Sequence, residues 1–154
     1  AYLDRVLVAT LRERMAAARD GGPGFAVALG EVEVSHQAEA TRRAIVHRVI
    51  RATFGGATTL FGGDVAAYRY GDQGVALVFS TGTRLDRGDL VADALRQRLH
   101  ELLRSMTACV RAFSRAQWRI RAGSATWSAG VPTTLALLRL AQESLAGDEE
   151  RSVA

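Results

Sequence analysis

The sequence predicts an α/β (α+β) domain with a ferredoxin-like core, a central and mainly antiparallel sheet flanked by helices. Three features point there. Apolar residues recur at spacings of three and four, the helix period, in four separate segments. Four β-rich runs stand between those segments, and two of them flank a Gly-containing turn as a hairpin. Without the end helices the order is β-α-β-β-α-β, which closes an antiparallel sheet under helices. All 154 residues, 48% of them hydrophobic, fit one domain able to bury a core.

The first helix occupies residues 1–20, with Leu3, Val6, Leu7, Leu11 and Met15 on one stripe. Asp20-Gly21-Gly22-Pro23-Gly24 stops it. Phe25 to Val34 reads as a strand whose first half is apolar throughout, as in strands covered on both faces. Glu31 and Glu33 follow on one face, at period two. Ser35 is placed to cap a second helix that carries Ala44, Ile45, Val49 and Ile50, with Phe54-Gly55-Gly56 as its end and a Gly-rich loop over 55–63. Val65 to Tyr70 and Val75 to Phe79 form a hairpin around Gly71-Asp72-Gln73-Gly74. From Arg87 to Ala116 a long helix lays Leu90, Leu95, Leu99, Leu103, Val110 and Phe113 along one side. Trp118 to Trp127 is the last strand. A final helix starts near Pro132, buries Leu135, Leu138, Ala141 and Leu145, and ends at Gly147, before a flexible tail over 148–154.

Composition excludes several classes. No apolar run approaches the roughly 18 residues of a membrane span, and the start is charged and amphipathic rather than a signal peptide. With a single cysteine, Cys109, a disulfide framework is excluded, and a reducing, cytoplasmic setting is expected. A first residue other than Met is expected of an excised fragment. All 20 basic residues are arginine, which with abundant Ala and Gly reads as the coding bias of a GC-rich bacterial genome. Schiff-base and lysine-phosphate chemistry are therefore absent. The arginines are scattered from Arg5 to Arg151 among 16 acids, with a net charge of +4, so no nucleic-acid partner is expected.

Among motifs, GGATTLFGGD (55–64) lacks the Gly-Lys-Ser/Thr ending of a phosphate loop. His36, His47 and His100 lack metal-site spacing, and no serine stands in a G-x-S-x-G setting. Glu31, Glu33 and Asp72 carry more. If their strands are neighbours, these carboxylates converge at one rim of the sheet, as Mg²⁺ requires when it carries a nucleoside triphosphate. The alternative is that they are solvated strand-end charges.

The succession of segments resembles the GGDEF domain, the catalytic domain of bacterial diguanylate cyclases, over nearly the whole chain. AYLDRV resembles the opening of its first helix, and FAVALGEVEV its first strand, with Glu31 and Glu33 on the positions of Asp-x-Asp. SHQAEATRRAIVHRVIRATF is similar to the following helix. DVAAYRYGDQGVALVF is similar, without a gap, to the hairpin segment: Asp64 takes the inhibitory-site Asp, and Tyr70, Gly71, Asp72, Gln73 and Gly74 replace the five signature residues. A one-residue shift matches Arg69 and Gly71 instead and puts Gln73 at the third signature position; the ungapped count from Asp64 favours the first register. WRIRAGSATWSAG and LLRLAQESLAG resemble the last strand and closing helix. The resemblance implies a nucleotide-cyclase palm.

It also implies what is altered. In the family, the first strand-end Asp and the third signature acid bind metal; Glu31 and Asp72 keep those charges, while Gln73 loses one and Tyr70 crowds the place of a glycine. The Phe-Lys and Asn-Asp elements that contact phosphates and guanine are missing, because Val34 runs directly into SHQAEA. Ala40 stands for the guanine-reading Asp, Glu149 falls at or near a phosphate-binding Lys, and Phe61 replaces the inhibitory-site Arg. Each such group is worth about 2–4 kcal/mol in the transition state, so their joint loss removes turnover. The expectation is a degenerate, catalytically inactive GGDEF-like signalling domain that dimerises or contacts other protein domains. No catalytic residue and no cofactor is expected, and any nucleotide is bound weakly. The alternatives are an active or altered-specificity nucleotidyl cyclase, with Mg²⁺ on Glu31, Glu33 and Asp72, and a GTP-binding switch without turnover.

Overall fold

A computed structural model describes residues 4–147; Leu3, Glu149 and the tail expected over 148–154 lie outside the described residues. The element order is α1 (Arg5–Arg19), β1 (Phe25–Ser35), α2 (Glu39–Phe61), β2 (Ala66–Tyr70), β3 (Gly74–Ser80), α3 (Arg87–Cys109), a 3₁₀ turn (Arg111–Phe113), β4 (Gln117–Thr126) and α4 (Thr134–Gly147). The four strands form one sheet in the order β2-β3-β1-β4, and every neighbouring pair is antiparallel. This is the ferredoxin-like arrangement expected from the sequence.

Alternation along β1 sorts the core into two layers. Ala26, Ala28, Val32 and Val34 face the layer that holds Ile45, Val49 and Ile50 of α2 with Leu95, Leu99 and Leu103 of α3. Phe25, Val27 and Leu29 face the other layer, with Leu7, Leu11 and Met15 of α1 and Leu137, Leu138, Ala141 and Leu145 of α4. The apolar first half of β1 is therefore covered on both sides. Two glycines set the depth of the helices: a Cβ at Gly30 would lie 2.8 Å from Leu95 Cδ2, and one at Gly123 would lie 2.6 Å from Ser144 Oγ and 2.9 Å from the Leu145 backbone nitrogen.

Four boundaries and four stripe positions differ from the expectation. Ser35 ends β1 and caps nothing; His36 turns the chain at φ 61°, and α2 begins after Ala38 without a side-chain cap. Gly55-Gly56 does not end α2, so most of the expected 55–63 loop is helix. Each mid-helix glycine costs about 1 kcal/mol relative to Ala, and this is offset by Ala57, buried in the last turns, and by Phe61, packed against the core. The third helix stops at Cys109 rather than Ala116, because the chain turns at Val110 to bring Phe113 back under α2 and α3. The last helix begins at Thr134, two residues past Pro132. Val6, Ala44, Leu90 and Leu135 face solvent; the buried face of α1 is Leu7, Leu11 and Met15, and Val46, Val91 and Leu137 take the buried places expected of Ala44, Leu90 and Leu135. No helix among the described residues is long and apolar enough to cross a membrane.

Because α4 lies against bare backbone at Gly123, Gly123→Val is expected to destabilise the protein by about 2–3 kcal/mol, within the range of overpacked cores. Urea unfolding at matched slope checks this; an unchanged midpoint would show that α4 packs elsewhere.

Candidate functional site

The pairing of β1 with β3 ends at Glu31↔Gly74, whereas its pairing with β4 continues to Ser35↔Gln117. The last residues of β1 therefore run past the tip of the β2–β3 hairpin, and the Val32 N–H donates to the Gln73 carbonyl at 2.9 Å to hold the tip beside the strand. Strand pairing thus sets Glu33 and the hairpin tip that carries Asp72 beside each other at one rim. The tip is tight: Tyr70 pairs with Gly74 across three residues, and Gly71 turns at φ +66°. A Cβ at Gly74 would meet the Tyr70 carbonyl at 2.4 Å, so only glycine fits that place.

Between this tip and the first turns of α2 lies a cleft of about 570 Å³ lined by Glu33, Val34, Glu39, Arg42, Arg43, Val46, His47, Arg69, Asp72 and Gln73. Glu33 and Asp72 share it. Glu31 does not line it; it packs toward Gly74 and Tyr70, and the Tyr70 hydroxyl has its pKa raised by burial and by the Glu31 charge. Glu31 and Glu33 stand directly opposite Arg121 and Arg119 of β4 in register, a charge alternation worth about 0.2–1 kcal/mol per cross-strand pair. Those arginines were not singled out by the sequence, since only strand pairing places them there. Three guanidiniums, Arg42, Arg43 and Arg69, line the cleft beside its carboxylates. Arg43 pairs with Glu39, and Arg69 donates to the Asp72 carbonyl at 3.3 Å. Among the described residues, no three His, Cys, Asp or Glu side chains form a group able to hold a metal ion.

Phe61 and Asp64, which the sequence resemblance sets against an inhibitory site, lie at the other end of β3, about 20 Å away by strand rise. Phe61 is half-buried against the core at the end of α2. Asp64 accepts from Arg87 Nη1 at 3.0 Å and Nη2 at 2.9 Å, and from the Ser80 N–H at 3.0 Å. Arg87 also donates to the Ser80 carbonyl and lies 5.3 Å over the Phe79 ring. The Arg87 hydrogen bonds hold the Asp64 carboxyl down to about 2, and Asp64 raises Arg87 in turn. Gly62 belongs to the same lock: at φ +132°, its Cβ would sit 2.8 Å from Arg87 Nη2. Arg87 was missed because it stands 23 residues from its partner. Of the histidines, His47 lines the cleft, and His100 Nδ1 accepts from the buried Trp118 indole at 3.1 Å.

No protein-family profile and no curated protein sequence matches the chain. Solved structures do. The GGDEF domain of DgcB from Caulobacter crescentus, in complex with c-di-GMP, superposes with a TM-score of 0.62 at 17% identity, over 90% of this chain and 80% of that one. The fold is that of a GGDEF domain. The diguanylate cyclase SiaD of Pseudomonas aeruginosa, in complex with its activator SiaC, gives a TM-score of 0.63 at 19% identity over 93% of this chain, which spans 53% of SiaD. The FimX GGDEF domain, also from Pseudomonas aeruginosa, gives 0.56 at 16% identity, over 91% and 85% of the two chains.

Two outcomes follow from this geometry. A carboxyl depressed by folding contributes stability above its unfolded pKa, near 3.8, and that contribution is lost as pH falls through the folded value. Wild type is expected to lose on the order of 1 kcal/mol between pH 4 and 2 relative to Asp64→Asn, less than the shift alone implies because the pair is partly exposed. Chemical unfolding across that range checks it, and parallel curves would remove the lock. Gly74→Phe is expected to lower stability by at least about 2 kcal/mol, since even a Cβ there meets the Tyr70 carbonyl; thermal and urea unfolding decide it.

Proposed function

We propose that this chain is a catalytically inactive GGDEF-like domain that works in c-di-GMP-related signalling by contacting a protein, either a second copy or another domain. The observation that carries the reading is the composition of the rim cleft. A divalent ion that carries a triphosphate is held by converging carboxylates. Here Glu31 is turned toward Tyr70, and Glu33 and Asp72 share their cleft with Arg42, Arg43 and Arg69. Guanidiniums at that distance compete for the same carboxylates and repel the ion, so the donor set fits a divalent ion poorly. Tyr70 in place of a glycine and Gln73 in place of an acid support the same reading.

The second site supports it too. Asp64, at the inhibitory position, spends both carboxylate oxygens on Arg87 and Ser80, and Phe61 supplies packing rather than a guanidinium fork. A ligand there would have to displace a bidentate ion pair, so c-di-GMP is not expected to bind. Action through protein contact is supported by SiaD, which is held with an activator protein.

Incubation with GTP and Mg²⁺ or Mn²⁺, followed by nucleotide chromatography, is expected to give neither pppGpG nor c-di-GMP. Product that disappears in Glu33→Ala/Asp72→Ala would establish the rival reading of an altered cyclase. A melting temperature raised by GTP without product would establish a nucleotide-binding switch instead.

A further inference from the structure

We propose that the solvent face of α2 and the adjoining 3₁₀ turn bind the phosphate backbone of duplex nucleic acid. The inference is independent of the cleft and its chemistry. Residues 40–63 and 102–142 hold ten arginines and no Asp or Glu, while the rest of the chain holds the other ten arginines and all sixteen acids. Along the sequence the charges look scattered; folding brings α2 at Arg48 against the 3₁₀ turn, one part of each acid-free stretch, while Arg139 of the second stretch goes to the opposite layer on α4. The Arg48 guanidinium lies 5.4 Å over the ring of Phe113, so exposed Arg48 and Arg51 of α2 stand beside exposed Arg111 and Arg115 around the turn.

None of these four arginines has a carboxylate partner among the described residues, whereas Arg84, Arg87, Arg96 and Arg98 are each ion-paired. The carboxylates of the adjoining helices are engaged elsewhere: Glu39 of α2 holds Arg43, and Glu101 of α3 holds Arg98. A planar guanidinium that is left uncompensated in water presents a fork matched to phosphate oxygens.

The surroundings choose the partner. Among the described residues the large exposed apolar ones are Val6, Leu60, Leu85, Leu90, Leu135 and Leu140. Leu60 stands at the far end of α2, about two and a half turns past Arg51, and none lies within 39–51 or 104–121, where the four arginines are. A protein interface needs an apolar centre, and an interfacial membrane helix needs an apolar face to insert. Single-stranded bases need an exposed ring to stack on, and Phe113 and Trp118 are both buried. Charge without apolar anchors suits sequence-independent contact with duplex phosphates.

The test is fluorescence anisotropy of the chain with a labelled mixed-sequence DNA duplex and the matching RNA duplex, alongside sedimentation with phosphatidylserine vesicles. Neutralisation of about four phosphates predicts a loss of affinity on the order of 100-fold between roughly 50 and 200 mM salt. Arg51→Glu/Arg115→Glu is expected to weaken binding at least tenfold, while Arg12→Glu/Arg139→Glu, on helices of the opposite layer, leaves it unchanged. Should the first pair unfold, as circular dichroism would show, Arg51→Gln/Arg115→Gln replaces it with the same expected direction. Binding to either duplex with these dependences supports the proposal, and the two duplexes tell DNA from RNA. A flat salt dependence, equal losses in both pairs of variants, or retention on vesicles alone would overturn it.

Discussion

Strand β1 is covered on both faces and paired along both edges, and this double burial is the constraint from which the other elements take their positions. Its even-numbered side chains carry the α2–α3 layer and its odd-numbered ones the α1–α4 layer. A strand so placed must be apolar until it leaves the sheet, and the change from Leu29 to Glu31 marks that exit. Charged groups can enter only where coverage stops. The rim cleft is therefore at the end of β1 because that is the first place where a carboxylate can be solvated.

What the rim can do depends on the neighbours that packing brings in. Two carboxylates alone would form an acidic notch. With Arg119 and Arg121 across the strand pair and three more arginines around the cleft, each acid has a cation within the same surface. The rim is balanced rather than acidic, which lowers its attraction for a small divalent ion and makes it behave as an ordinary charged edge. By contrast, the α2 face beside Phe113 has cations without counter-charges. The two surfaces meet at α2 yet have opposite chemical character.

Much of the fold was legible in the sequence because periodicity follows burial, and burial here is simple. The four strands and the antiparallel hairpin, read from β-rich runs and one turn, match their observed spans within a residue or two. Failures came where tertiary contacts overrode local signals. Gly55-Gly56 reads as a stop, but Ala57 and Phe61 have a core to meet one turn later. Val110 and Phe113 continue the helical spacing and reach the core from outside the helix. At the rim, the sequence supplied Glu31, Glu33 and Asp72, of which Glu33 and Asp72 share the cleft; it could not supply Arg119 and Arg121 there, or Arg87 at the far end of β3, whose roles exist only through pairing at long range. The charge pattern gave the same lesson: a scattered list of arginines became a patch only when the 3₁₀ turn after α3 set Phe113 beneath Arg48.

The contact between Asp64 and Arg87 joins the exit of α2 to the entrance of α3, and everything between them is the hairpin. It works as a drawstring at the neck of that excursion. Because the two chain segments at its base are tied to each other and to Ser80, the point where the hairpin enters and leaves the sheet is fixed independently of its tip. The tip that reads Tyr-Gly-Asp-Gln-Gly is thus hung from a base anchored at the opposite end of β3.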